Sequence, residues 1–219
     1  MNVLIFGATG MVGQGVLREC LLDPRIHRVV AIGRRVTGQR HPKLREVAVP
    51  DLFDLSAVEQ DFVGIDACFF SLGTSAAGMS ETAYGRVTHD LTLAVAELVA
   101  RRSPAATFIY VSGAGTDSTE HGRIMWSRVK GKTENALLRM PFKAAYMFRP
   151  ALIVPMHGIT SSTRWYRVLY AILMPLLPLI RRFAPDYVTT TERVGRAMIT
   201  AAVSGAPTRV LENPGINAL

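Results

Sequence analysis

Cysteine is scarce in this sequence, and its scarcity argues against a metal site. The 219 residues include only two cysteines, Cys20 and Cys68, both in apolar segments, and five scattered histidines. Metal sites need such residues at short, regular spacings, so we expect no metal. We interpret both cysteines as small buried apolar residues in a reducing cytoplasm. The chain opens directly into an apolar strand pattern, so we expect no signal peptide, and together with the free cysteines this predicts a cytoplasmic protein.

Several other patterns are missing. No GxSxG elbow is present, which leaves serine-hydrolase chemistry unsupported. The formal net charge is +8, but the arginines occur as separated pairs and not as a basic run interleaved with aromatics. We therefore expect no nucleic-acid partner. The apolar stretch at residues 165–183 contains Pro175 and Pro178, which break it as a bilayer-spanning helix.

An N-terminal glycine motif is the most informative feature that is present. The apolar run at residues 3–6 leads into Gly7, Gly10 and Gly13, and helical spacing follows. A strand, a tight turn and a helix start in this order are typical of dinucleotide-binding α/β folds, although a purely structural turn is the alternative. The turn and the helix N-terminus would offer N–H groups to a pyrophosphate. The residues assigned to it are Gly7, Thr9, Gly10, Met11, Val12 and Gly13.

Strand and helix patterns alternate along the rest of the chain. They predict one α/β domain over residues 1–219, a doubly wound Rossmann arrangement with a mostly parallel sheet and helices on both faces. The ligand crevice would lie at the carboxyl ends of the strands. The predicted strands are residues 3–6, 27–32, 44–49, 66–72, 107–111 and 144–148. The predicted helices are residues 13–22, 56–62, 80–102 and 124–139.

Residues 155–190 depart from this alternation, and we expect a small C-terminal lid or substrate-side region there. Three interpretations of the apolar segment 165–183 stay open: a lid over a substrate pocket, a surface that joins copies of the chain into a homo-oligomer, or an amphipathic segment at a membrane surface. We favour the first two, because the run is short for a span.

The second predicted strand ends in Arg34 and Arg35, with no acidic residue at its tip. An acid at this place binds the ribose 2′-hydroxyl of NAD, whereas a guanidinium binds the 2′-phosphate of NADP in a bidentate way. The sequence therefore favours NADP over NAD, with Arg34 as the first candidate and Arg35 as the second. Arg40 or Lys43 would be accessory groups, and a solvated arginine pair is the alternative.

Two further strand ends supply candidate cofactor contacts. Asp51 and Leu52 follow the third strand, where the Asp51 carboxylate would accept from the adenine amino group or act as a turn residue. The segment after the fourth strand would line the ribose side of the cofactor, or form an ordinary glycine turn. Its residues are Ser71, Leu72, Gly73 and Thr74.

Taken together, six motifs resemble the atypical short-chain dehydrogenase/reductases, and most of all their Tat-interactive oxidoreductase-like branch. They are GATGMVG at 7–13, SLGT at 71–74, YVSGAG at 110–115, VKG at 129–131, FRPALIV at 148–154 and VLENPGI at 210–216. The resemblance implies a Rossmann fold, NADP binding and oxidoreductase activity on a small carbonyl or alcohol. It also places Val111, Arg149 and Pro150 beside the cofactor.

Standard members of this family use a serine together with a YxxxK pair. The resemblance implies that Ser112 orients the substrate oxygen and that Lys130 holds the nicotinamide ribose. The tyrosine position, four residues before Lys130, is Trp126. An indole N–H does not titrate usefully, so Trp126 cannot serve as an acid or base.

The source of the proton is left open by the sequence. Tyr84, His121 or a bound water would supply it, whereas we interpret Tyr110 as a packing residue within its strand. The rival hypothesis is a catalytically inactive NADP-binding sensor or partner-binding protein.

Overall fold

The strands form a seven-stranded parallel sheet and a separate parallel pair. The structure, a computed structural model, describes residues 1–159, Leu177 and residues 182–219. The main-sheet strands are β1 (Asn2–Phe6), β2 (Arg28–Gly33), β3 (Leu44–Ala48), β4 (Ala67–Phe70), β5 (Thr107–Val111), β6 (Ala144–Arg149) and β9 (Val210–Glu212), and the small pair is β7 (Leu152–Val154) with β8 (Val188–Thr190). The main sheet has the order β3-β2-β1-β4-β5-β6-β9, and each neighbouring pair is parallel.

Helices connect these strands and cover both faces of the sheet. They are α1 (Met11–Leu22), α2 (Glu81–Gly85), α3 (Leu91–Arg102), α4 (Met125–Leu138), α5 (Thr191–Ser204) and α6 (Asn213–Asn217). A π-helical turn, Arg86–Asp90, joins α2 to α3. Two short 3₁₀ segments, Ser56–Phe62 and Pro185–Tyr187, complete the described elements.

Side chains of β1 show why the sheet is covered on both sides. Val3 and Ile5 belong to a core cluster that also contains residues of α1 and α5. Leu4 and Phe6 belong to a second cluster, which contains residues of α3. Since successive side chains of a strand point to opposite faces, an uninterrupted apolar strand needs a helical layer on each face. The predicted doubly wound, parallel Rossmann architecture is confirmed.

Some element boundaries differ from the predictions. Helix α1 begins at Met11, two residues before the predicted start, and β4 ends at Phe70, so residues 71–74 form a loop. The predicted helix at 80–102 contains the π-helical turn, and residues 56–62 are 3₁₀ and not α-helical. Apolar periodicity locates an element, but the backbone hydrogen bonds at its ends depend on tertiary contacts.

The apolar segment 165–183 falls outside the described residues, except for Leu177, Arg182 and Phe183. Its lid, oligomer and membrane interpretations therefore stay predictions. Leu177 is buried in a small cluster with Val154 and Val188. Among the helices that the structure describes, none has the length and apolar character needed to cross a bilayer.

Candidate functional site

A cavity of about 490 Å³ opens where β1, β2 and β4 end, and we call it the dinucleotide cavity. It lies where the sheet order passes from β2 through β1 to β4, which is the usual ligand crevice of such sheets. Eleven of the predicted cofactor residues line it: Gly7, Thr9, Gly10, Arg34, Arg35, Asp51, Leu52, Ser71, Leu72, Gly73 and Thr74. Further lining residues, which the sequence analysis missed, include Glu46, Pro50, Phe53, Met79 and Val87.

The glycine turn at the floor of this cavity leaves no room for side chains. Gly7 has a φ of +88°, and a Cβ there would lie 2.6 Å from the backbone nitrogen of Leu72. A Cβ on Gly13 would overlap the carbonyl oxygen of Gly7. The amide of Gly10 donates to that same oxygen at 2.9 Å, which closes the turn. Backbone therefore forms this surface, as close approach to a pyrophosphate requires.

The N-terminus of α1 continues this surface. Its N-cap is Gly10, no side chain caps it, and its first turn contains no acidic residue. The first N–H groups of a helix have no intrahelical partner, and they carry the positive end of the helix dipole. Met11, Val12 and Gly13 occupy these first positions. The end of the helix is thus suited to an anion.

The arginine pair follows β2 as the sequence predicts. Arg34 and Arg35 are exposed, and within the described part of the chain neither guanidinium forms an ion pair. Arg35 also borders a second cavity of about 350 Å³, which is lined by Thr9, Gln14, Arg35, Val36, Thr37 and Gln39. The predicted accessory residues are not among those lining either cavity: Arg40 is exposed, and Lys43 donates its Nζ to the carbonyl oxygen of Asp23 at 2.7 Å.

Two carboxylates in the dinucleotide cavity already accept backbone hydrogen bonds. Glu46 accepts from the amides of Thr37 at 2.6 Å and Gly38 at 2.9 Å. The β2–β3 register places it beside Ala31, which also lines the cavity. No pattern in the sequence points to Glu46, because the register between strands cannot be read from periodicity alone. Asp51 accepts from the amide of Phe53 at 2.9 Å, so it holds a turn while lining the cavity.

The predicted catalytic residues lie at the end of β5, in a group that we call the polar network: Ser112, Lys130, Glu134 and Arg149. The Ser112 hydroxyl is placed to donate to Glu134 Oε1, and it also lies 3.2 Å from the carbonyl oxygen of Phe148. Lys130 Nζ donates to the carbonyl oxygen of Ser112. Ser112 and Lys130 are thus brought together, as the family resemblance implies.

Arg149 belongs to this network and is buried within it. Its Nε donates to both Glu134 oxygens, at 3.0 and 3.1 Å. Its other nitrogens donate to Glu212 at 3.0 Å and to the Ser118 hydroxyl at 2.6 Å. Burial lowers the pKa of Arg149, but the Glu134 and Glu212 carboxylates outweigh burial and raise it overall. The guanidinium is therefore engaged inside the protein.

Glu134 is the residue of this network that the sequence analysis missed. It is 1% exposed. It follows Lys130 by four positions and Trp126 by eight, so all three share one face of α4. Helical spacing from the predicted lysine was the signal that could have found it.

Close packing fixes α4 against the loop that follows β5. A Cβ on Gly131 would overlap the carbonyl oxygen of Asp117. The Ser127 hydroxyl bonds the carbonyl oxygen of Gly115. The Trp126 ring lies 3.6 Å from the place that a Cβ of Gly115 would occupy. The indole therefore packs on this loop, and the adjacent glycine lets Lys130 reach Ser112.

The remaining candidates lie in different surroundings. Tyr84 is 2% exposed, whereas His121 is exposed on the loop after β5. Tyr110 is buried against Phe70, as a packing residue would be, and burial raises the pKa of its hydroxyl. Val111 ends β5 and Pro150 is buried after β6, and neither they nor the polar network are among the residues lining the dinucleotide cavity.

Comparison with known proteins assigns the family. Residues 3–123 match the model of the NAD dependent epimerase/dehydratase family. The chain belongs to this family. It is therefore a nicotinamide-dinucleotide-binding Rossmann protein related to the short-chain dehydrogenases, and the cradle and cavity described above fit such a cofactor.

Two relatives are similar to the chain over different lengths. Protein HTATIP2 of Rattus norvegicus is 27% identical over 219 residues, which covers 98% of this chain and 87% of the relative. This match supports the Tat-interactive branch that the sequence motifs indicate. The mitochondrial protein fmp52 of Emericella nidulans is 30% identical over 159 residues, and the match covers 69% of this chain and 66% of that protein.

Solved structures agree on the fold. A short-chain dehydrogenase/reductase family oxidoreductase from Burkholderia thailandensis aligns with a TM-score of 0.71 at 17% identity, covering 100% of this chain and 93% of that one. The Bordetella bronchiseptica enzyme WbmH, solved in complex with NAD⁺, aligns with a TM-score of 0.63 at 17% identity, covering 96% and 74%.

The predicted cytoplasmic localisation is contradicted by these relatives. The FMP52 proteins of Emericella nidulans, Eremothecium gossypii and Chaetomium globosum are all named as mitochondrial. The inference failed because buried free cysteines indicate a reducing compartment and cannot tell the cytoplasm from another compartment of that kind.

Proposed function

We propose that the protein is an NADP-dependent oxidoreductase acting on a small carbonyl or alcohol. One observation carries the proposal: the backbone turn from Gly7 to Gly10, which leads into α1, lines the same cavity as two exposed arginines at the end of β2. A pyrophosphate suits the first feature, and a guanidinium binds a ribose phosphate in a bidentate way. The reduced dinucleotide, when bound, supplies a hydride.

Different residues of the cavity would bind different parts of the cofactor. The glycine turn and the start of α1 would hold the pyrophosphate, and Asp51 and Leu52 would face the adenine. Residues 71–74 would line the ribose on the nicotinamide side. Arg34 and Arg35 would bind the 2′-phosphate at the end of β2, where both line the dinucleotide cavity and Arg35 also borders the second cavity. Ser112 would face the substrate oxygen.

Among the described residues that line the cavity, Glu46 argues for NAD, since a carboxylate beside the end of β2 can accept from a ribose 2′-hydroxyl. Both of its oxygens already accept backbone N–H groups, from Thr37 and Gly38. Those donors offset its charge, whereas the arginines have no carboxylate partner among the described residues. The balance of charge at this end of the cavity supports a phosphate.

Titration with the two dinucleotides tests the cofactor. We expect the protein to bind NADPH at least about tenfold more tightly than NADH, because a hydrogen bond to a charged group contributes about 1.5–3 kcal/mol. Arg34→Ala should remove most of this preference, Arg35→Ala should reduce it, and both should leave NADH binding almost unchanged. Arg40→Ala is the matched control, because Arg40 is on the same loop but is not among the residues lining either cavity. Equal affinities in the unmodified protein would contradict the proposal.

Trp126 favours a second candidate, an NADP-responsive binding protein without turnover. The Trp126→Tyr variant separates the two functions. If the unmodified protein reduces no aldehyde or ketone with NADPH while the variant gains reductase activity, the sensor interpretation holds. If the unmodified protein reduces a carbonyl, the oxidoreductase interpretation holds.

A further inference from the structure

The polar network contains a candidate for the missing proton donor. Reduction of a carbonyl needs an acid beside the substrate oxygen, and Trp126 occupies the position of the family tyrosine. The indole packs on the loop at Gly115. An indole N–H neither gives up nor regains a proton at physiological pH. The proton must therefore come from another group near Ser112.

Lys130 is the titratable cation in contact with the Ser112 backbone. Its Nζ donates to the carbonyl oxygen of Ser112, at the point where β5 ends. The side chain is half-buried, so it retains contact with the surface. The overlap that any side chain at Gly131 would create shows how closely α4 approaches this loop. The position of the ammonium group is thus set by packing of the helix.

Two other titratable groups near α4, Glu134 and Tyr110, are less suited to donate a proton to a substrate. The Glu134 carboxylate accepts from Arg149 and Ser112 and lies inside the protein. Tyr110 is fully buried against Phe70. The charged or titratable groups on the elements and loops packed against α4 are Glu81, Tyr84, Arg86, His89, Asp90, Glu97, Arg101, Arg102, Tyr110, Asp117, Glu120, Lys143, Tyr146 and Arg149. Among all these groups, Glu134 acts electrostatically on Lys130 and favours its charged form.

We propose that Lys130 is the catalytic acid of this site and replaces the family tyrosine. The proposal rests on the proposed function. As hydride reaches the carbonyl carbon, the C=O π electrons move to the oxygen. The oxygen takes a proton from Lys130 Nζ, one N–H bond breaks, and a neutral amine is left. Water then returns a proton to the amine. In the oxidation direction, the neutral amine accepts the proton of the substrate hydroxyl.

Burial makes a lysine suitable for this task. A lysine with its ordinary pKa is a weak acid at neutral pH, and proton transfer works best when the pKa lies near the working pH. Burial lowers the pKa of Lys130 to about 8, against the opposing effect of Glu134. Carbonyl reduction needs the ammonium form, so its rate should fall as the pH rises through about 8.

A titration of the cofactor-free protein tests the acid without turnover. The chain has four lysines, at positions 43, 130, 132 and 143. Reductive methylation with ¹³C-formaldehyde gives each of them an NMR signal, and Lys130→Arg assigns one. We expect the Lys130 signal to titrate well below the other three. If all four titrate together, the proposal is overturned.

Turnover of a simple probe tests the role. With NADPH and 4-nitrobenzaldehyde, Lys130→Arg should lower reduction by about a hundredfold or more, because arginine keeps its proton. It keeps a cation and N–H donors, so NADPH affinity should be nearly unchanged. Tyr84→Phe and His121→Asn, which remove the alternative donors, should retain activity. Loss of activity in either, with activity retained in Lys130→Arg, would overturn the proposal.

Failure of this inference and failure of the proposed function give different results. If NADPH does not bind the unmodified protein, the proposed function fails, whatever the titration of Lys130. If NADPH binds while Lys130 titrates like an ordinary lysine, only the assignment of the acid fails. Circular dichroism of each variant shows whether it is folded.

Discussion

The dinucleotide cavity and the polar network lie at the same edge of one sheet but are built from different material. The cavity floor is backbone at Gly7 and Gly10, with Gly13 packed against Gly7, and the cationic groups Arg34 and Arg35 face solvent. The polar network consists of side chains from β5, α4 and β6 whose charges face one another. One region leaves its cationic side chains exposed to solvent, while the other neutralises its charges internally.

This difference determines which kind of substitution disrupts each region. The shape of the cavity depends on the absence of side chains, so adding a single methyl group at its floor disrupts it. The polar network depends on mutual compensation, so removing one partner leaves the other as an uncompensated buried charge. The first region should therefore be sensitive to added volume and the second to removed charge.

The largest expected effect follows removal of the Arg149 guanidinium. Arg149→Met leaves the Glu134 carboxylate, 1% exposed, without its cation. Breaking a buried pair in this way costs about 3–5 kcal/mol of unfolding free energy. Chemical denaturation followed by circular dichroism measures the loss.

Arg128→Met is the matched control, since Arg128 pairs with the exposed Glu81 and a surface pair contributes about 0–1 kcal/mol. The double variant Glu134→Leu/Arg149→Met should recover part of the loss, because the 1% exposed carboxylate is then removed together with its guanidinium partner. An effect of Arg149→Met no larger than that of Arg128→Met would show that the network does not depend on charge compensation.

A methyl group at Gly13 should have the next largest effect. Gly13→Ala places a Cβ on the carbonyl oxygen of Gly7, so turn and helix must move apart. We expect a loss of about 1–3 kcal/mol of unfolding free energy, as for overpacked sites. Dinucleotide binding should be lost, which fluorescence titration would show.

Gly73→Ala is the control for added volume in the same cavity. A Cβ on Gly73 meets nothing within 4 Å. Its unfolding free energy should stay within about 0.5 kcal/mol of the unmodified protein. Similar losses in Gly13→Ala and Gly73→Ala would mean that the shape of the turn is not what maintains the cavity.

The two regions also differ in how far the sequence predicts them. Gly7 and Gly13 follow an apolar strand directly, and parallel strands end at one edge, so local patterns place the cavity residues. Glu134 lies on a helix and reads as a solvated charge until β6 brings Arg149 against it. The π-helical turn Arg86–Asp90 has no sequence signal that we recognise. A residue such as Glu134 is thus not predicted from the sequence, because its role depends on contacts between segments that are distant in the chain.

Lys130 gives an effect on stability of similar size that depends on pH. Its lowered pKa means that the folded state binds this proton less well than the unfolded state does. The cost to stability is fully present below pH about 8, and it disappears as the pH rises toward the ordinary lysine pKa of 10.5. Lys130→Met should therefore be more stable than the unmodified protein at pH 7, by about 1–3 kcal/mol.

The advantage of Lys130→Met should shrink between pH 8 and 10, as denaturation at several pH values would show. Lys132→Met is the control, because Lys132 is exposed one residue beyond Gly131. Its effect should be small and should not change over this range. A pH-independent difference for Lys130→Met would mean that burial does not disfavour the charged amine.

The smallest effect concerns Glu46, the acid within the otherwise cationic end of the cavity. Glu46→Gln removes a negative charge near Arg34 and Arg35 and retains an acceptor for one backbone amide. Solvent screens these charges, so NADPH affinity should rise by less than about 1 kcal/mol. Glu97→Gln, at an exposed position of α3, controls for the change in net charge.

NADH binding decides the role of the Glu46 carboxylate. If Glu46→Gln weakens NADH binding, Glu46 accepts from the ribose hydroxyl and this end of the cavity is built for NAD. If NADH binding stays the same while NADPH binds more tightly, Glu46 only fixes the loop at Thr37 and Gly38, and the arginines determine which dinucleotide is bound.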